Sequence, residues 1–296
     1  MNPLALSLAV FLLLPLPVAA QEIGTVSVVE GALGVIRGTS VLQGTEGMRL
    51  RQGDIIKSSD RGFVQLEFDE GRIVALGPSS GLFLFSYAIG RGGAEGRNRT
   101  SAAEMVLLSG WLKGENGSTV GACRYDSPLL ASGGDGTILL HSAAKAAEIF
   151  VESGSASIGQ VNPDGSWGHR NSAKAGQFFS RLPGKGVTID SRPNSLFIES
   201  MPIPFRDTLP SRRARFVGKR VEAKRDHEVT YAEIQPWLTM GKTWRRGFVD
   251  RFQPRLKDAS FRKALEDHLN DHPEWNPIVH PEKYPPTPPS RSDQKF

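Results

Sequence analysis

The sequence is almost without cysteine. Cys123 is the single one in 296 residues, so no disulfide closes within the chain and stability rests on a packed core. A lone thiol also needs a base to act as a nucleophile, and no candidate base stands near Cys123, which is expected as a small buried apolar residue. Long apolar runs are absent after residue 20, which excludes a later helix of the about 20 apolar residues that cross a bilayer. Chemical motifs are missing as well. Gly154-Ser155-Ala156-Ser157-Ile158 lacks the closing Gly of a nucleophile elbow. The Gly-rich tract from Gly90 to Arg97 lacks the Gly-x-Gly-x-x-Gly spacing and a following amphipathic helix, which leaves a surface loop. Asp69-Glu70 is expected as the polar tip of a hairpin, not as a glycosidase dyad. No cofactor, metal or catalytic residue is expected.

The N-terminus carries a targeting pattern. Leu4 to Leu16 is an apolar run followed by Val18-Ala19-Ala20 ahead of Gln21. Small residues at the third and first places before Gln21 suit signal peptidase, so residues 1–20 read as a secretory signal peptide, although no Lys or Arg precedes the run. A periplasmic or secreted mature protein is expected, with no transmembrane segment once the leader is removed.

From Arg49 to Leu84 the pattern is that of short strands. Val64, Leu66 and Phe68 alternate with Gln65 and Glu67, the period of a strand with one buried face. Asp69-Glu70-Gly71 breaks the run before Ile73 to Leu76, so Gly71 is expected to hold a positive φ in a hairpin. Gly53-Asp54 and Gly77-Pro78 give two further turns. Met105 to Lys113, Thr137 to His141 and Ile149 to Ile158 read as later strands, separated by Asn116-Gly117, Gly133-Gly134 and Asn162-Pro163-Asp164-Gly165. Ala143 to Ile149 has the composition for a turn or two of helix between strand-like neighbours. The fold class is mainly β, a solenoid or sandwich of short strands over residues 22–200.

These residues carry a resemblance. Gly53-Asp54-x-Ile56-x-Ser58, Val64-x-Leu66-x-Phe68-x-x-Gly71 and Leu76-Gly77-Pro78 resemble the FecR domain, a β-rich periplasmic module named after a ferric-citrate signalling regulator. Gly24-Thr25-Val26 and Gly31 to Arg37 resemble its opening. Gly136-Thr137, Val151-Glu152-Ser153-Gly154 and Ala175-Gly176-Gln177 sit where its later signatures fall, so the resemblance covers about residues 24–190. It implies an envelope binding or signalling module that acts by protein contact, with neither cofactor nor catalytic residue. Regulators of that family that act on sigma factors carry a cytoplasmic segment and a membrane helix before this domain. This chain opens on its leader-like run, so an envelope scaffold or ligand-binding role is expected over direct signalling to a sigma factor.

Pro202, Pro204 and Pro210 disfavour sheet and helix, which predicts a linker over 201–210. A basic helical module is expected over 211–280. Thr230-Tyr231-Ala232-Glu233 fits a capping box, and Phe261, Ala264, Leu265 and Leu269 share one face of a helix started by Asp258 or Ser260. The prolines and scattered charges of 281–296 predict a disordered tail. Charge is segregated: Arg206 to Lys263 holds sixteen Lys and Arg against seven Asp and Glu, a net of +9, where the whole chain is +5. Arg245, Arg246, Arg251 and Arg255 interleave with Trp244, Phe248 and Phe252. That texture suits either an acidic envelope protein or polysaccharide, or a charged face around packed aromatics. Export argues against nucleic acid. Two alternatives are an envelope hydrolase or metalloenzyme using His268, His272 and Glu282 with His280, and a secreted adhesin. Without the Glu of a zinc-protease helix between them, and with Pro273 following, the two histidines are better read as capping a helix C-terminus.

Overall fold

A computed structural model describes residues 21–89, 101–116, 123–219 and 221–284. The expected leader 1–20, the Gly-rich tract from Gly90 to Arg97, Gly117 and residues 285–296 of the expected tail lie outside the described residues. The protein is mainly β, with short helices toward its C-terminal end. Eight strands come first: β1 (Glu22–Glu30), β2 (Leu33–Arg37), β3 (Ser40–Gln43), β4 (Arg49–Arg51), β5 (Ile55–Ser58), β6 (Phe63–Phe68), β7 (Ile73–Leu76) and β8 (Gly81–Ile89). Two long strands follow, β9 (Ser101–Asn116) and, beyond the short β10 (Cys123–Asp126), β11 (Leu130–Ala143). The later strands are β12 (Ala146–Val151), β13 (Ser155–Val161), β14 (Trp167–Lys174), β15 (Phe178–Arg181), β16 (Thr188–Asp190) and β17 (Lys224–Glu228).

They form two faces. Sheet 1 has the order β4-β1-β6-β7-β9-β11-β12-β15-β16. Sheet 2 has the order β17-β3-β2-β5-β8-β9-β10-β11-β13-β14, with β9 and β10 parallel. Strands β9 and β11 belong to both sheets and change sheet near Gly110 (φ +87°) and Gly136 (φ +111°). A Cβ at Gly110 would lie 2.5 Å from the Ser80 Cα, so only glycine fits that bend. Val26, Val35, Leu66, Phe68, Leu112 and Leu140 belong to the main core cluster. Burying each such side chain contributes about 1.5–3 kcal/mol.

Within this frame the first hairpin pairs Val64 with Leu76 and Leu66 with Val74, and Gly71 turns it at φ +100°. Gly53 has φ +87° ahead of β5. The Asp54 carboxylate accepts from Arg37 Nε at 2.9 Å and from the Arg51 backbone N–H at 2.9 Å. Gly77 leads into Pro78 with its N–H on the Trp111 carbonyl at 3.0 Å. The alanine-rich stretch is no helix. Ala143 pairs with Ala146 and Leu140 with Ile149, and β15 holds the other flank, so pairing on both sides outweighs helix propensity. Ile149 to Ile158 is two strands, β12 and β13, divided by Gly154 at φ +75°.

Both outer faces are covered by the chain after residue 194. On sheet 1 lie α1 (Ser195–Ser200) and a 3-10 turn, Ile203–Arg206. Phe197, Phe205 and Leu209 are buried there with Trp111, Leu139 and Phe178. Gln65 and Glu67, on the stripe of β6 that alternation turns away from the core, are buried beneath this segment. Gln65 donates to the Pro210 carbonyl at 2.9 Å, and Glu67 accepts from the Arg212 backbone N–H at 2.6 Å. The fully buried Lys113 ammonium donates to the carbonyls of Phe205 at 2.9 Å and Asp207 at 2.8 Å. The segment 201–210, expected as a linker, is therefore a strap held on sheet 1.

Sheet 2 carries a helical cap: α2 (Tyr231–Leu238), α3 (Lys242–Arg245), α4 (Phe248–Phe252), α5 (Ala259–Glu266) and α6 (Asn276–Val279). Glu233 accepts from the Thr230 N–H at 2.8 Å, and Asp258 accepts from Ser260 and Phe261 N–H groups at 2.9 and 3.1 Å. The buried face of α5 is Phe261 and Leu265. Trp237, Trp244, Phe252 and Trp275 share one apolar cluster with Ile36, Ile55, Phe83 and Val106 of sheet 2. The helical region thus has no separate core. Among the described residues no helix is long and apolar enough to cross a membrane.

Candidate anion-binding seam

The four arginines that the sequence offers for an acidic partner do different work. Arg251 donates to the carbonyls of Gly38 at 2.9 Å, Gly53 at 2.6 Å and Ile36 at 2.9 Å. Burial pushes its guanidinium down to about 10, against the pull of Asp54. Arg255 donates to the Val229 carbonyl at 2.9 Å and to Asp258 at 3.1 Å. Arg245 donates to the Leu238 carbonyl at 2.8 Å and pairs with Glu274 at 3.3 Å. These three are struts within the cap and between the cap and the sheet. Arg246 is exposed and makes no hydrogen bond or ion pair among the described residues.

Arg246 lines a pocket of about 530 Å³ with Lys242, Thr243, Arg245, Asp164 and Glu274. Thr243 ties α3 to the turn between β13 and β14, donating to the Asp164 carbonyl from its N–H at 3.0 Å and from Oγ1 at 2.9 Å. Asp164 keeps its carboxyl below the ordinary value through the Ser166 hydroxyl and backbone N–H, with a smaller pull from Lys242. Lys242 makes no hydrogen bond or ion pair among the described residues.

Across that turn lies a second pocket, of about 360 Å³. Register assembles it: Ser86 stands opposite Glu104, Glu104 opposite Arg124, Arg124 opposite Gly133 and Gly133 opposite Ser157. All five side-chain positions line the pocket, together with Trp167 and Arg170. The Trp167 ring comes so close to the sheet that a Cβ at Gly133 or Gly159 would sit 3.4 or 3.2 Å from it. The guanidinium carbons of Arg124 and Arg170 lie over the ring, 4.8 and 4.5 Å from its centroid, a cation–π arrangement.

The charges differ in freedom. Arg124 donates from Nε to Asp126 at 3.0 Å and pairs with Glu104 at 3.1 Å. Asp126 also accepts from Trp167 Nε1 at 3.3 Å, and Glu104 from Trp244 Nε1 at 3.3 Å. Burial pushes the Asp126 carboxyl up to about 7, although Arg124 pulls the other way. Arg170 is exposed, and apart from Trp167 it has no partner among the described residues. Cys123 lines the same pocket, and burial pushes its thiol up to about 11, which leaves it protonated and poorly nucleophilic near neutral pH. A larger groove of about 610 Å³ beside α2 is rich in hydroxyls. Two of them are spent on main chain, Ser58 on Gly77 at 2.6 Å and Ser80 on Trp111 at 3.0 Å.

His268 and His272 do not gather ligands. His268 Nδ1 bonds the Ala264 carbonyl at 2.8 Å at the end of α5, His272 is buried, and Glu282 faces His280 at 3.4 Å. Among the described residues no group of three or more His, Cys, Asp or Glu side chains is placed to hold a metal ion. Sequence reading missed Glu104, Arg124, Asp126, Trp167, Arg170 and Lys242.

No family model matches the chain, and no curated protein matches it. Two crystal structures of a candidate anti-sigma factor from Parabacteroides distasonis ATCC 8503 are similar in part. Both are 9% identical over 47% of this chain and 59% of theirs, with TM-scores of 0.34 and 0.35.

Proposed function

We propose that the protein is an exported, non-enzymatic binding module of the cell envelope that takes an acidic partner along the seam between sheet 2 and its cap. One observation carries this reading: Arg170, Lys242 and Arg246 line the two pockets and make no hydrogen bond or ion pair among the described residues, while Arg124 and Arg245 beside them are paired. A cation left unpaired in a concavity is available to an anion. The seam also offers no activated nucleophile, because its thiol is held protonated and its buried carboxylate is locked to Arg124. Export is supported by the leader-like run Leu4 to Leu16 with Val18-Ala19-Ala20, and the envelope role by the FecR-like motifs.

Retention of the intact protein on immobilised polygalacturonate tests the binding. Retention should fall as salt rises to physiological strength, where the Debye length is about 8 Å, and fall further in the Lys242→Gln/Arg246→Gln variant. Retention that ignores both salt and these substitutions contradicts the reading. Reporter fusions at the C-terminus that are active only in the cytoplasm contradict export.

A further inference from the structure

We infer that the smaller pocket, on sheet 2, is a subsite for an acidic sugar, a hydroxyl-rich ring bearing one carboxylate. This rests on the seam being a binding site and names what one part of it takes. The pocket's charge comes first. Its lining holds two cations, Arg124 and Arg170, and one carboxylate, Glu104, and Arg124 is paired both with Glu104 and with Asp126 behind the lining, so the surplus is at most about one positive charge and suits a single carboxylate better than a dense anion. Arg170 is the lining cation that makes no ion pair among the described residues, and its planar guanidinium matches one carboxylate in a two-point hydrogen bond.

The rest of the lining is suited to hydroxyls. Ser86 and Ser157 are partly exposed, and neither hydroxyl makes a hydrogen bond among the described residues. Glu104 uses Oε1 for both Arg124 and Trp244, which leaves its second oxygen as an acceptor for a ligand O–H. The lining is small in part: Ala102, Gly133 and Gly134 carry nothing larger than a methyl group. Trp167 makes one wall, with the Arg124 and Arg170 guanidinium groups stacked on its ring, so it serves as a rigid backing that holds Arg170 toward the pocket. A volume of about 360 Å³ lies at the small end of the range for ligand pockets, about 300–1,000 Å³. An acidic peptide would bring charge without the hydroxyls that the two serines and Glu104 can pair, so the sugar is favoured over it.

Calorimetric titration of the full-length protein with three probes tests the inference: tetragalacturonate, uncharged maltotetraose and tetraglutamate. Tetragalacturonate should bind, with the other two at least about tenfold weaker. Arg170→Gln, an exposed substitution, should weaken tetragalacturonate binding about tenfold, the usual effect of removing a charge-assisted hydrogen-bond pair. Equal binding of maltotetraose, tighter binding of tetraglutamate, or an Arg170→Gln variant that binds like the parent overturns it. Binding lost in Lys242→Gln/Arg246→Gln but kept in Arg170→Gln also overturns it, while leaving the seam as a binding site. If no probe binds and polygalacturonate is not retained, both readings fall.

Discussion

Sheet 1 lies under a strap with few large side chains and many polar anchors, whereas sheet 2 lies under a cap with many aromatics and several unsatisfied polar atoms. The strap's prolines lack N–H groups but keep their carbonyls, and buried side chains of the sheet reach up for its main chain: Gln65 to Pro210, Lys113 to Phe205 and Asp207, Glu67 to Arg212. The cap is made of helices of four to eight residues, too short to be stable alone. It is held by Trp237, Trp244 and Trp275 and by the Arg251 and Arg255 struts. Both ring nitrogens of His272, the Trp275 indole N–H, the Tyr231 hydroxyl and Arg245 Nε are buried there with no hydrogen-bond partner among the described residues. Polar matching determines one covering and apolar bulk the other.

The cap should therefore fail most severely when an aromatic is removed. Trp237 packs edge-on to Phe83 with ring centroids 6.3 Å apart, and Trp237→Ala should destabilise the protein by about 3–5 kcal/mol. Denaturant unfolding reads this, and a change under 1 kcal/mol would mean that the cap is loosely docked. On the strap the matching substitution is polar. Lys113→Met leaves two carbonyls and Glu152, 2.8 Å away, without their cation, and should lose about 3 kcal/mol.

Acid should separate the two coverings. Burial lowers the His272 pKa, with Arg245 and His268 adding to it and Glu274 and Asp271 opposing. Its contribution is present above the ordinary histidine value of 6.5 and is lost as pH falls below it. Glu67 is also held below its ordinary value of 4.5, because hydrogen bonds from Ser211 and the Arg212 backbone outweigh its burial. Its contribution survives until pH falls below 4.5. Asp126 works in the opposite sense, adding stability as pH falls through about 7 toward its ordinary 3.8, so a global melting temperature mixes the effects. Hydrogen exchange resolved by segment should show residues 268–279 losing protection between pH 7 and 5 while 203–213 stay protected. Simultaneous loss would contradict the contrast. The smallest effect belongs to Arg246: Arg246→Gln should change stability by less than about 0.5 kcal/mol.

Much of the core was legible in the sequence, because one hairpin needs only local signals. Alternation from Val64 to Phe68 and a break at Gly71 define β6 and β7 without any distant residue. Capping was equally local at Thr230 and Asp258. What covers the core was not. Gln65 and Glu67 look like solvent-facing positions because the groups that bury them, Pro210 to Arg213, come more than 140 residues later. The composition of 206–263 gives the surplus of positive charge but not its direction, and Arg251 turns inward onto the carbonyls of Ile36, Gly38 and Gly53, about 200 residues earlier in the chain. The pocket row from Ser86 to Ser157 draws on five strands, so no spacing in the chain announces it.

If the segment after residue 194 is a covering, residues 21–194 alone should expose the apolar outer faces around Trp111 and Phe178 on sheet 1 and around Ile55, Phe83 and Val106 on sheet 2. Size-exclusion chromatography and thermal melting of that fragment test this most directly. It should aggregate or melt without a cooperative transition. A monomeric fragment that melts cooperatively near the temperature of the intact protein would contradict the account.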